Sequence, residues 1–546
     1  MTEGATSAAP IEKQAGWGVI GMLAAAQFIM VLDTTVMNVS ISQVAADLNT
    51  TIVGLQTAIT LYTLVMAAFM LIGGKIGDRW GAKRAFWVGL IVYGCGSMIT
   101  AFSQNLTQLL IGWSLIEGLG AILVIPAIAA LTAKTYKGKQ RAVCYGILGG
   151  VAGASMAAGP IIGGWVTTYA PYSWRTVFFA ETVTVLFVML FLKLIPATVG
   201  KKGKLDTVGA ALSAAGLGAI VLGVLQSSQW GWVTPKAAAP IAPLGLSPTL
   251  WLIVIGTALL YFFAVWERRI VARGEEPLLD MKLFAIATMR AGLVIQACQA
   301  FIIQATFFVL PLYLQTVLGY NALDTGKTIL PMSIALFVFA LGGSAATNRF
   351  SPKRLVQTGV AALLLGEVLL LYFLGPELRD VGFAVGLALI GAGLGLMASQ
   401  VGNVIMSSVD PSRGGEAGGL QGTSLNLGAS LGVALVGSIV IATLASGFTT
   451  TVMESPTLPD SVKQQVSSAA AANANFVSAS QVASAAAEAG LTQAQTDEVV
   501  SGYTDAQINA LRAGLGFLAL FALFALAWVR RLPDELILKT PAPEAT

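Results

Sequence analysis

The sequence predicts an all-α membrane protein: two six-helix bundles with two helices inserted between them, fourteen transmembrane helices, and both termini cytoplasmic. Composition, charge alternation and an internal repeat carry this reading. Of 546 residues, 56% are hydrophobic and 11% charged, which excludes an ordinary soluble globule. A net charge of +4 gives no support to nucleic acid as a partner. The sequence has no histidine, so the usual near-neutral proton carrier and commonest metal ligand is missing. Cys95, Cys144 and Cys298 lie unpaired in apolar runs, and neither a disulfide framework nor a metal site is expected. The first 16 residues are polar, and no removable signal peptide is expected.

Apolar runs long enough to cross a bilayer fall at about 17–39, 51–72, 85–102, 106–133, 141–168, 176–195, 207–228, 249–266, 289–318, 326–347, 354–374, 381–408, 414–445 and 510–529. With the N-terminus inside, the inner segments hold every lysine and arginine except Arg175, Lys236, Lys327, Arg379, Lys463 and Arg512. One missed or invented helix would scramble that asymmetry. The connector 446–509, rich in Ala, Ser, Gln and Thr, then lies outside. Within it, Ser478 reads as a helix start and Gly490 as a stop.

Between the second and third runs stands Gly73-Gly-Lys-Ile-Gly-Asp-Arg-Trp-Gly-Ala-Lys-Arg84, with four cations, one carboxylate and four glycines. Positive-inside anchoring alone needs neither Asp78 nor the glycines. Residues 344–354 align without gaps on 74–84: Arg349, Lys353 and Arg354 match Arg79, Lys83 and Arg84, while Asn348 replaces Asp78. Both stretches join the second and third helices of a six-helix set. The expected organisation is therefore a tail at 1–16, a six-helix bundle at 17–196, two inserted helices at 205–266, a second bundle at 287–530, and a tail at 531–546. Paired halves around a midplane site are a transporter plan.

With these residues in view, the chain resembles the major facilitator superfamily, in its fourteen-helix drug:proton antiporter branch. The resemblance rests first on Gly74, Asp78, Arg79, Gly81, Lys83 and Arg84, where it implies a charge relay that stabilises an outward-facing state. Ala82 departs from it, a basic residue being common there. The first helix carries Leu32-Asp33-Thr-Thr-Val-Met-Asn38, similar to that branch's first-helix motif. The fifth carries Gly150, Gly159, Pro160, Gly163 and Gly164 in a Gly-Pro-x-x-Gly-Gly setting, similar to the antiporter motif, which implies export. Small residues there permit close helix approach, and Pro160 removes a backbone hydrogen bond.

Intramembrane carboxylates are the candidate proton-coupling groups. Asp33 lies roughly 24 Å along a helix begun at Trp17, and Glu117 roughly 16 Å along one begun at Leu106, at ~1.5 Å per residue. An ionised carboxylate at such depth costs a few kcal/mol on insertion scales and should face a cavity or a partner. Ser114 and Glu117 stand where the family has Arg and Gln, and Glu181 stands where it usually has Asn. The missing arginine leaves the family's proton route without one of its parts. Arg175 is the nearest cation in sequence to Glu181 and a candidate to neutralise it. Glu367, on a peripheral helix, reads as structural.

Candidate substrate-binding residues are Asp33, Glu117, Tyr62 and Trp113 in the first half. Phe307, Phe308, Tyr313, Gln315 and Asn426 are their counterparts in the second; Pro311, Tyr313 and Gln315 resemble the branch's Pro-x-Tyr-Leu-Gln pattern. Aromatic and amide walls suit flat amphipathic molecules. The expected function is proton-coupled efflux of amphipathic, cationic compounds by alternating access, from a monomer in the inner or plasma membrane. No phosphate-binding glycine motif marks an ATP site, and no cofactor is expected. A dedicated exporter of one metabolite or natural product is the alternative. A membrane enzyme or a channel finds no catalytic cluster and no filter segment.

Overall fold

The computed structural model describes residues 16–136, 138–200, 205–236, 238–347, 349–378, 380–409, 414–464 and 476–534. Among the described residues there is no strand. The two tails beyond Gly16 and Asp534, Lys137, Lys201, Lys202, Lys204, Asn348, Arg379, Arg413 and Lys539 lie outside the described residues.

The first set of helices is α1 (Gly18–Val39), α2 (Ile52–Trp80), α3 (Ala82–Ala101), α4 (Leu106–Thr135), α5 (Gly138–Tyr169) and α6 (Arg175–Leu190). Then come α7 (Thr207–Trp230) and α8 (Pro248–Ala272), followed by α9 (Ala287–Val317), α10 (Ala322–Ala346), α11 (Pro352–Phe373), α12 (Asp380–Ser407), α13 (Gly414–Glu454) and α14 (Gln493–Val529). Thirteen of them are long and apolar enough to cross a membrane among the described residues; α6, with 16 residues, falls short. At ~1.5 Å per residue, α6 alone measures about 24 Å against a hydrocarbon core of about 30 Å. A 3₁₀ turn at Leu192–Leu194 extends it.

Helices α1 to α6 pack chiefly among themselves, as do α9 to α14. The two sets meet mainly along α2 against α13 and α5 against α10. The inserted pair packs together, and chiefly α7 reaches α2 and α13. Ser438 on α13 donates to the carbonyls of Val224 and Leu225 on α7.

Glycines set the closest approaches between helices. A Cβ at Gly326 would stand 2.1 Å from the Pro160 carbonyl oxygen, and one at Gly164 would stand 2.5 Å from that of Ala322. Gly159 and Gly163 turn the other way, onto Thr35 and Val36 of α1. Toward the opposite end packing is looser: a Cβ at Gly153 would still touch Phe337 at 3.4 Å, whereas Gly149 and Gly150 have nothing within 4 Å of a Cβ. The Gly-Pro motif thus seats α5 between α1 and α10 at one end only. At that same end Gln56 donates to the carbonyls of Val433 and Ala434, and Ser430 to that of Thr60.

Two boundaries differ from the sequence reading. The 73–84 stretch forms almost no connector: α2 runs to Trp80, α3 begins at Ala82, and Gly81 alone breaks the chain at φ +89°. A glycine there ends one helix and starts another without Cβ strain. The last helix is also longer than its apolar stretch, beginning at Gln493, because a Thr492–Gln495 capping box starts it far out in the 446–509 segment. A second capping box, Ser478 with Gln481, opens a short helix at Ala479–Glu488, and Gly490 follows at φ +76°.

Candidate functional site

The floor of the site is built by α3 and α4, whose backbones almost touch. A Cβ at Gly96 would meet the backbone nitrogen of Glu117 at 2.5 Å, and one at Gly120 would meet that of Tyr93 at 2.4 Å. This approach carries Tyr93 and Ser97 onto Glu117. The stretch Leu110–Glu117 is π-helical, an irregularity that collects at functional sites. It reaims Trp113 and Glu117, four residues apart, toward α1.

Asp33, Glu117 and Glu181 converge there, at most 1% exposed, with one oxygen from each lying within 4.8 Å of the others. Ser97 Oγ lies 2.9 Å from Glu117 Oε2 and 3.3 Å from Glu181 Oε2. Trp113 Nε1 donates to both Asp33 oxygens, at 3.0 and 2.9 Å. Its ring stacks on Tyr62 at 4.9 Å and 8°. Tyr93 Oη, Glu117 Oε1 and Glu181 Oε1 are buried with no partner at hydrogen-bond geometry. Among the described residues, no cation pairs with any of the three carboxyls.

Arg175, the candidate to neutralise Glu181, is engaged elsewhere. Its Nη1 lies 3.1 Å from Asp47 Oδ2, its Nη2 donates to the Ser103 carbonyl at 3.0 Å, and its guanidinium stacks over Trp174. A helix end with a carboxylate and a free carbonyl satisfies the guanidinium fork better than a buried site could. Ser114, where the family has arginine, donates to the Ala58 carbonyl of α2 at 2.8 Å. A helix–helix hydrogen bond thus occupies the arginine's place. Glu367 is buried on α11 with both oxygens unpartnered.

The second-half candidates are spread out. Phe307 and Phe308 are buried on α9. The Tyr313 hydroxyl donates to the Gly375 carbonyl at 2.7 Å, and its ring lies 5.8 Å from Phe383, inside the second set of helices. Gln315 bridges the two sets: its amide donates to the Val39 carbonyl and accepts from Ser42 N. Asn426 bonds the Gly422 carbonyl of its own helix.

The repeated motif shows a different pairing from the one the resemblance implies. Arg79 Nη2 lies 2.6 Å from Glu276 Oε2, and Lys75 Nζ lies 3.4 Å from Glu276 Oε1 and 3.9 Å from Glu416. Lys83 Nζ donates to the Ile195 carbonyl at 2.6 Å, while Gly81 sits against the Thr198 carbonyl. Asp78 forms no ion pair among the described residues. Glu276, on the segment leaving the inserted helices, takes the cations instead. Gly74 is loosely packed, and it is Gly73 whose Cβ would strike the Ile122 carbonyl at 2.1 Å.

A family model described as the Major Facilitator Superfamily matches residues 23–433. The chain belongs to the major facilitator superfamily. This makes it a multi-span transporter of the plasma membrane, with small molecules as its substrates. It is 29% identical to a probable actinorhodin transporter of Streptomyces coelicolor over 82% of this chain and 76% of the relative. It is 30% identical to a cephamycin export protein of Amycolatopsis lactamdurans over 75% and 82%. A multidrug resistance protein of Mycobacterium tuberculosis matches at 25% over 77% and 75%. Among solved structures, a bacterial homolog of the human lysosomal transporter Spinster, inward-facing and unoccupied, superposes with a TM-score of 0.61 at 15% identity, covering 94% of this chain and 97% of that one. An auto-inhibited peptide transporter gives 0.57 at 13%, covering 96% and 99%. These two likenesses speak for the fold alone.

Proposed function

We propose that this transporter is a proton-coupled antiporter that exports amphipathic, cationic compounds, with Asp33, Glu117 and Glu181 as the shared proton and substrate site. The observation that carries it is three buried carboxyls in mutual contact with no cation. Like charges so close in a low dielectric cannot all stay ionised. The cluster therefore needs positive charge, which protons supply in one state and a cationic substrate in another. That exclusion is what antiport requires, because each ligand must favour a different conformation. The Tyr62–Trp113 stack beside Asp33 supplies an aromatic wall for a flat cation.

The proposed cycle is alternating access between the two helix sets, fourteen helices with both termini cytoplasmic. The tight α5–α10 contact at Gly164 and Gly326 and the open space beside Gly149 and Gly150 support a form open toward the inside. Export of one natural product is the second reading, favoured by relatives named for actinorhodin and cephamycin. The test is transport of a lipophilic cation in proteoliposomes under an imposed pH gradient, comparing Asp33→Asn, Glu117→Gln and Glu181→Gln. Gradient-driven exchange at normal rates in all three would refute the carboxyl mechanism. Failure of every lipophilic cation, with uptake of an antibiotic such as cephamycin, would favour the second reading.

A further inference from the structure

A cavity lies outside the carboxyl cluster, where the inserted pair meets the transport helices. A cavity of about 370 Å³ is walled by Leu217 of α7, Phe263 of α8, Leu293 of α9, Leu420 of α13, and Leu279 and Phe284 of the segment between α8 and α9. It also touches Leu71 of α2. Met281 lines this cavity and also a neighbouring one of about 380 Å³, whose walls are Arg268, Val271, Asp280 and Lys282. Arg268 and Lys282 are exposed, and neither side chain forms an ion pair or hydrogen bond among the described residues. Asp280 is already committed, accepting from Lys282 N at 2.9 Å as the cap of the next turn.

An apolar chamber that shares the Met281 side chain with a neighbouring cavity carrying two unpaired cations matches a molecule with an acyl chain and an anionic head. We propose that an anionic phospholipid occupies this site, its headgroup on Arg268 and Lys282 and one chain among Leu217, Phe263 and Leu420. The charge count puts these cations at the cytoplasmic face, where anionic headgroups lie. The same cations repel the cationic substrate proposed for the carboxyl cluster, so the cavity is not a second copy of that site. A bound lipid touches α2, α7, α8, α9 and α13 together. It thereby adds α8 to the contacts that α7 already makes with α2 and α13.

Native mass spectrometry of the full-length protein, released from phosphatidylcholine nanodiscs containing phosphatidylglycerol as the minor lipid, tests this. Wild type should retain one phosphatidylglycerol in preference to phosphatidylcholine. Each cation is worth roughly fivefold near a membrane surface, so the R268Q/K282Q double variant should retain about thirtyfold less. Ala264→Trp fills the chamber from the exposed helix α8 and should also lose the lipid, with both cations intact. Equal retention of the two lipids by wild type overturns the proposal, as does displacement by chainless glycerol phosphate, and neither result depends on a variant folding. Undiminished retention by either variant overturns it too.

Discussion

Single side chains decide how the carboxyl cluster holds charge. Ser97 has one hydroxyl proton and two carboxylates in reach, so it can satisfy only one at a time and is a natural switch between them. Replacing it with alanine leaves buried oxygens unmatched, and such a loss costs about 1–3 kcal/mol. Ser97→Ala should therefore lower the melting temperature and also move the pH optimum of transport; an unmoved optimum would make Ser97 structural only. Trp113 is the donor to Asp33. Trp113→Phe keeps the stack on Tyr62 and removes the N–H, and it should weaken cation affinity about tenfold, since a hydrogen bond to a charged group contributes about 1.5–3 kcal/mol. Binding measured by equilibrium dialysis checks this.

Helix packing sets where the transporter can open. The α5–α10 contact at Gly326 and Pro160 leaves no room for a methyl group. Gly326→Leu should hold that end apart, and a cysteine placed at Leu323 should react with an impermeant maleimide several-fold faster than in the parent. At the other end, Glu276 joins the Lys75–Arg79 turn to the segment after α8. Its partial burial pushes the carboxyl pKa up, but Lys75 and Arg79 outweigh this and hold it below the usual 4.5. A carboxyl pKa lowered on folding stabilises the folded state above 4.5, and that contribution is lost as pH falls through the lowered value. Glu276→Gln should therefore lower the melting temperature by a constant amount through neutral pH, and the two curves should converge below pH 4.5. With Glu276 half exposed, the effect is small.

For the whole molecule, the charge alternation makes a topological prediction. A cysteine at Ser480, on the exposed helix of the 446–509 segment, should label from outside intact cells. One at Glu275, beside the inserted pair, should label only after permeabilisation. Labelling of both from the same side would break the fourteen-helix arrangement.

Much of this protein was legible in its residues. Long apolar runs must be helices in lipid because no other local structure satisfies the backbone there, and the repeat at 74–84 and 344–354 revealed the two sets. Asp33, Glu117 and Glu181 stood out because carboxyls are costly in hydrocarbon. The short helix opened by Ser478 was legible from its cap, but the start of α14 was not, because the capping box at Thr492 extends it beyond its apolar stretch. Partners were least legible of all. Arg175 is six residues from Glu181 yet pairs with Asp47; Arg79 neighbours Asp78 yet pairs with Glu276; Ser97, Tyr93 and the π turn carried no motif. The sequence alone determined the class, the helices and the acids, since those follow from local hydropathy and charge. Only the tertiary structure decided which acids meet and which cations answer them, because those contacts lie far apart in the chain, as Lys75 does from Glu276 and Glu416, and depend on where glycines let helices touch.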